Sequence, residues 1–268
     1  MNHRKLRAAL TAAAALAAII GFASLRGQTR QNPGGQASGQ APLRFLCSTA
    51  VRAAVQELRP QMERAAKRPV ALAFDSSQRL SAMIDAGENF DIAVLSADSM
   101  NAYVQKGVIA ADSRAFLGRT GVGIGVRAGA PKPDISTPAK LQQALLNAKS
   151  ITLNPTGASF AHFNRITAQM GIAEQLKPKL IFAPALGEGQ KNVVEGKAEM
   201  VWTQVSEIAP YVELSVAGAL PAELQSYTDF YIGISAKSAD HIDAAAAVEF
   251  LTSDAAKLTL KAKYVEAR

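Results

Sequence analysis

The feature that most limits what this chain can fold into is a unit that recurs along it. A β-rich run leads to a turn of small hydroxyl residues or glycine, and an amphipathic helix follows. The clearest copy spans residues 69–86. Pro69-Val70-Ala71-Leu72-Ala73-Phe74 suits a strand, and Leu80-Ser81-Ala82-Met83-Ile84-Asp85-Ala86 suits a helix. Between them Asp75 or Ser76 is placed to cap the helix, with Ser77 beside it. A helix N-terminus carries unpaired N–H groups and a partial positive charge, so it takes an anion without any lysine. Read alone, the stretch is a serine cap followed by a spare serine. Similar turns occur at Cys47-Ser48-Thr49-Ala50, at Asn154-Pro155-Thr156-Gly157-Ala158-Ser159 and at Ala185-Leu186-Gly187-Glu188-Gly189. Several such cups point to anion capture from opposite lobes.

Between the cups the chain alternates. Strands are expected at residues 43–47, 69–74, 90–95, 150–153, 180–183, 199–203 and 227–234. Helices are expected at 48–66, 77–86, 98–106, 137–148, 159–170, 190–195 and 242–251. In the first helix Val51, Val55, Leu58 and Met62 share a face, and Gly87 ends the second. This order implies an α/β fold with parallel strands joined by crossovers. Gly121-Val122-Gly123-Ile124-Gly125-Val126 fails as a dinucleotide loop, because no helix opens after it. It reads as a strand passing into the Gly/Pro-rich connection at 127–133. The expectation is two lobes, one of residues 43–126 plus 225–268 and one of 127–224. The ligand cleft lies at the strand C-termini.

The formal charge of +7 suggests a nucleic-acid or membrane partner, but its distribution argues otherwise. Residues 1–42 hold Arg4, Lys5, Arg7, Arg26 and Arg30 and no acid, which leaves +2 for the body. No basic stripe with interleaved aromatics is present, so nucleic acid is not an expected partner. Residues 1–26 read as a signal peptide, with a basic start, an alanine-rich apolar stretch at 8–22 and a small-residue site at Gly21-Phe22-Ala23. An uncleaved anchor is the alternative. Either way the body is periplasmic or secreted. Residues 27–42 are a Gly/Gln/Pro linker. The lone cysteine, Cys47, sits in an apolar run and reads as a buried, inert thiol.

The chain resembles the molybdate-binding proteins of bacterial ABC importers, within the type II periplasmic binding-protein fold. The likeness covers about residues 43–265. Its landmarks are Ser76-Ser77 after a strand, Asp91-Ile92-Ala93-Val94-Leu95-Ser96-Ala97, Asn154-Pro155 before Gly157, Gly171 to Leu180, and Glu195-Gly196-Lys197-Ala198-Glu199. The resemblance implies a two-lobed α/β fold, each lobe a mostly parallel sheet flanked by helices. It implies a monomer that takes a small anionic ligand, meets an ABC-transporter permease and needs no cofactor.

That family holds its oxyanion with two serine hydroxyls, backbone amides and a tyrosine hydroxyl. The second serine falls on Ser76 or Ser77. The first falls near Ser48, Thr49 or Ala50, with Ala50 in register and Thr49 as the stand-in. The amides fall near Thr156, Gly157 and Ala158, and near Leu186. The tyrosine position falls on Gln204, a departure that leaves a shorter donor. Arg79 is a second departure, placed either to grip a carboxylate or to face solvent.

Two functions follow. The first is a solute-binding protein for a molybdate-like oxyanion or a related anion. The second is an isomerase on the same scaffold, since aconitate isomerase is similar to this family. It would shift an allylic proton of a tricarboxylate, with Arg79, Arg52 or Lys191 as the cation and His162 or Glu207 as the proton carrier. The sequence has no HExxH, Cys/His cluster, GxSxG or P-loop lysine motif, so no metal is expected.

Overall fold

A computed structural model describes residues 40–267. The signal peptide and all but the last three linker residues lie outside that range. Among the described residues no helix is long and apolar enough to cross a membrane.

The first part of the body is built from β1 (Leu43–Ser48), α1 (Arg52–Ala66), β2 (Val70–Asp75), α2 (Ser77–Asp85), β3 (Ile92–Ser96) and α3 (Ala97–Gln105). A 13-residue strand, β4 (Ala115–Arg127), leads to the second part. There α4 (Pro138–Asn147), β5 (Ile151–Leu153), α5 (Ala158–Gln169), α6 (Ala173–Leu176), β6 (Leu180–Phe182), α7 (Glu188–Val194), β7 (Met200–Gln204), α8 (Val205–Ile208) and β8 (Leu214–Ala219) follow. The chain then returns through β9 (Tyr227–Ile234), α9 (His241–Thr252) and α10 (Asp254–Ala262).

The strands run in the order β2-β1-β3-β9-β4-β7-β5-β6, with β8 also paired to β4. Parallel pairing joins β1 to β2 and β3, and β5 to β6 and β7. Antiparallel pairing enters wherever β4 or β9 takes part. The first half of β4 pairs with β9 up to Gly121, and the second half pairs with β7 and β8 from Val122. One strand thus serves both lobes.

Strand alternation distributes the core. Phe45 and Cys47 of β1 join α1, α9 and α10 on one face, while Leu46 joins Leu80, Leu95 and Tyr103 on the other. In the second lobe Met200 and Trp202 face one cluster and Val201 the other. Cys47 is fully buried, and burial pushes its thiol far up, as expected of an inert group.

The short helices α6 and α8 and the strand β8 were not expected from the sequence. Helix α10 follows a stop at Thr252-Ser253, but Ser253 also caps the next helix, its Oγ accepting from the Ala256 N–H at 3.4 Å. Strand β8 is made of weak strand formers held by pairing with β4.

The glycines of β4 have a packing reason. A Cβ at Gly123 would lie 2.7 Å from Val205 Cγ2, and one at Gly125 would lie 2.8 Å from Ile208 Cγ2. The bare strand lets α8 lie flush against it, which positions the residues between Val205 and Ile208. Gly125→Ala is expected to cost about 1–3 kcal/mol through overpacking. Urea unfolding measures this, and a loss below about 0.5 kcal/mol would show that α8 can shift freely.

Candidate ligand-binding cleft

The carboxyl ends of five strands open onto one cavity of about 260 Å³. Thr49 follows β1, Ser76 follows β2, Asn154 follows β5, Ala183 follows β6 and Ser206 follows β7, all lining it. This is where α/β sheets hold ligands.

From the first lobe come Thr49, Arg52 and Ser76. Ser76 is the cap of α2, its Oγ accepting from the Arg79 N–H at 3.3 Å. The same Oγ lies 3.2 Å from Thr156 Oγ1 on the opposite lobe. Thr156 is held by Asn154, whose Oδ1 accepts from its N–H at 2.9 Å and its hydroxyl at 2.8 Å. Arg52 opens α1. Its Nε donates to Gln56 Oε1 at 3.3 Å, and its guanidinium carbon sits 5.7 Å from the centre of the Phe74 ring.

From the second lobe comes Glu207. Its Oε1 accepts from the Thr49 hydroxyl at 2.5 Å, across the cleft, and its Oε2 accepts from the Thr203 hydroxyl. Its backbone carbonyl accepts from Gln190 Nε2 at 3.1 Å. Ser206 and Tyr211 line the same wall. Gly187 sits in the left-handed region at φ 72°, and a Cβ there would lie 2.8 Å from the Tyr211 hydroxyl, so only glycine suits that turn.

Of the residues expected from the sequence, the structure gathers Thr49, Ser76, Leu186 and Glu207 around the cavity. Arg52, one of three candidate cations, lines it too. Others lie elsewhere. Ser77 accepts from the Ser96 N–H at 2.9 Å, which ties α2 to the end of β3. Ser48 is buried at the end of β1 and does not line the cavity. Arg79 is half-exposed and 3.9 Å from Asp75, and Lys191 pairs with Glu195 at 3.6 Å. The Gly157 N–H is taken by the Asn154 carbonyl at 3.1 Å, and Ala158 begins α5 behind that turn. Gln204 pairs with Val122 in the β4–β7 ladder, and its Nε2 donates to Thr228 Oγ1 at 3.0 Å instead of reaching the cavity. Thr203, Ser206 and Tyr211 were not anticipated. The signal for the first two was the strand–turn–helix pattern of residues 199–208 itself. Among the described residues no group of three His, Cys, Asp or Glu side chains is arranged to hold a metal ion.

His162 also lies away from the cleft. It is buried against Trp202, with ring centres 5.8 Å apart, and its Nδ1 is 2.9 Å from an Arg165 guanidinium nitrogen. Burial, together with the Arg165 charge, lowers its pKa to about 4, against a small opposing effect of the Leu224 backbone. The folded state therefore binds fewer protons than the unfolded chain between pH about 6.5 and 4. Stability attributable to His162 falls as pH drops through that window and levels off below it. Melting profiles of wild type and His162→Leu are expected to diverge there, with the wild type losing more. Parallel profiles would contradict the assignment.

The sequence profile of the bacterial extracellular solute-binding proteins matches residues 43–264. The chain belongs to that family. An aconitate isomerase from a Pseudomonas species is 30% identical over 223 residues, covering 80% of this chain and 84% of that protein. The Azotobacter vinelandii periplasmic molybdate-binding protein superposes with a TM-score of 0.71 at 15% identity, covering 83% of this chain and 98% of that one. The sulfate-binding protein SubI of Mycobacterium tuberculosis H37Rv gives 0.68 at 14% identity, covering 84% and 86%. At such identities the two structures speak to fold alone. The fold is that of the periplasmic binding proteins, and the family resemblance seen in the sequence holds at that level.

Proposed function

We propose that this solute-binding protein captures a small organic polycarboxylate in its cleft and presents it to an ABC permease. Arg52 carries the reading. Arg52 lines the cavity and its guanidinium has no ion pair among the described residues. The planar fork of a guanidinium matches a carboxylate with two parallel hydrogen bonds. A neutral oxyanion cup is less well supported. Thr49, the stand-in for the first serine, gives its hydroxyl to Glu207, and Gln204, at the tyrosine position, turns to Thr228.

A thermal-shift panel of molybdate, tungstate, sulfate, citrate and the two aconitates tests this. A ligand at a hundredfold its Kd stabilises by about 2.7 kcal/mol, so a true ligand raises the melting point clearly. Shifts with the polycarboxylates and none with the oxyanions are expected. The opposite pattern would return the cleft to the molybdate-like reading.

Glu207 favours a second reading, that of an isomerase. Its carboxylate lies in the cavity, and the aconitate isomerase relative shares 30% of the sequence. A carboxylate there could take a proton from the methylene carbon of an unsaturated tricarboxylate. The electron pair then spreads over the allyl system, and the proton returns at its other end. Arg52 would stabilise the charge that builds on the substrate carboxylate. No redox partner is consumed. Proton NMR of either aconitate in deuterated buffer decides it. Interconversion with deuterium uptake supports the isomerase, and unchanged spectra with intact binding leave the binding protein alone.

A further inference from the structure

We infer that Glu207 forms a filter that favours ligands presenting a hydrogen at that point, an O–H or a C–H, and so turns away fully ionised tetrahedral oxyanions. This rests on the cleft being the anion site and adds the rule by which it chooses among anions.

An ionised carboxylate accepts hydrogen bonds and donates none. The two oxygens of Glu207 each take one hydroxyl, from Thr49 and from Thr203, and each keeps further acceptor capacity. The group cannot swing aside cheaply, because Thr49 and Thr203 each donate to its carboxylate and the Gln190 amide holds its backbone carbonyl. Ser206 is 3% exposed and lines the cavity, yet its Oγ has no hydrogen-bond partner among the described residues. This end of the cavity therefore presents a fixed acceptor, with an enclosed and unpartnered hydroxyl on the neighbouring residue.

A ligand O–H can donate to Glu207 while a carboxylate of the same molecule reaches Arg52. A sulfate or molybdate dianion brings acceptors only, so it meets Glu207 as a like charge with no hydrogen between them. Built-in repulsion of this kind discriminates more strongly than an added contact.

Calorimetry with citrate, tricarballylate (the same skeleton without the hydroxyl), sulfate and molybdate tests the filter. The wild type is expected to bind the polycarboxylates at least a hundredfold more tightly than either oxyanion. Glu207→Gln, which adds a donor in the same shape, is expected to narrow that ratio at least tenfold. Glu207→Asp keeps the charge and should keep the preference. An unchanged ratio in Glu207→Gln would overturn the filter, as would wild-type oxyanion binding within tenfold of the polycarboxylates, a comparison that needs no variant to fold. If polycarboxylates bind and the variant leaves the ratio unchanged, the filter fails and the proposed function stands. If the wild type binds no polycarboxylate but Glu207→Gln gains sulfate, the filter stands and the polycarboxylate reading falls. Silence from wild type and variants alike removes both.

Discussion

Replacing Arg52 with alanine is expected to weaken polycarboxylate binding by about 2–5 kcal/mol, a loss of roughly thirtyfold or more. The ligand charge would then lie in the cleft without its fork-shaped partner. Arg52→Lys should recover only part of the affinity, since an ammonium keeps the charge but cannot make two parallel bonds to one carboxylate. The unliganded protein should lose at most about 1 kcal/mol, because Arg52 makes no ion pair among the described residues and its contacts are a hydrogen bond to Gln56 on its own helix and the face of the Phe74 ring. That contrast between binding and stability separates a ligand contact from a structural one. Equal affinity in wild type and Arg52→Ala would remove the main support for an organic anion.

The largest effect on stability is expected from Trp202→Ala, about 3–5 kcal/mol in urea unfolding. Trp202 is fully buried on β7. Its ring lies 5.3 Å from Phe163 edge-on and 5.8 Å from His162 in a stacked arrangement. Its indole N–H donates to the Ser159 carbonyl at 3.1 Å. Truncation would open a cavity and leave that buried carbonyl without its donor. Trp202→Phe keeps most of the volume and should lose much less. The strand that carries Trp202 continues directly into Thr203, Ser206 and Glu207, so a ligand-affinity loss should accompany the alanine variant. A stability loss below about 1 kcal/mol would mean that the second lobe collapses around the gap.

Much of the architecture could be read without coordinates, and the reasons are local. Strand β3 is a short apolar run between Gly87 and a helix, and Ser76 caps α2 as its position before the apolar periodicity suggests. The cups at Thr49, Ser76 and Leu186 were visible because a hydroxyl or glycine at a helix start is a one-dimensional signal. What escaped depends on register and packing. Gln204 and Thr203 are neighbours on β7, and only the pairing of Val122 with Gln204 sends one toward Thr228 while the other reaches Glu207. Arg52 and Arg79 each stand in the first turn of a helix. Only the orientation of those helices brings one to the cleft and leaves the other beside Asp75. His162 has the chemistry of a proton carrier, but the face of α5 on which it lies packs against Trp202. Strand β8 was invisible because its pairing with β4, and not its composition, makes it a strand.

The most direct test of the account is a calorimetric titration of trans-aconitate into the wild type and into Arg52→Ala, with sulfate as the competitor in both. One-to-one binding in the wild type, lost in the variant and indifferent to sulfate, is the predicted result. Tight sulfate or molybdate binding that survives the loss of Arg52 would contradict it, and would return the cleft to the neutral donors Ser76, Thr49 and Thr156.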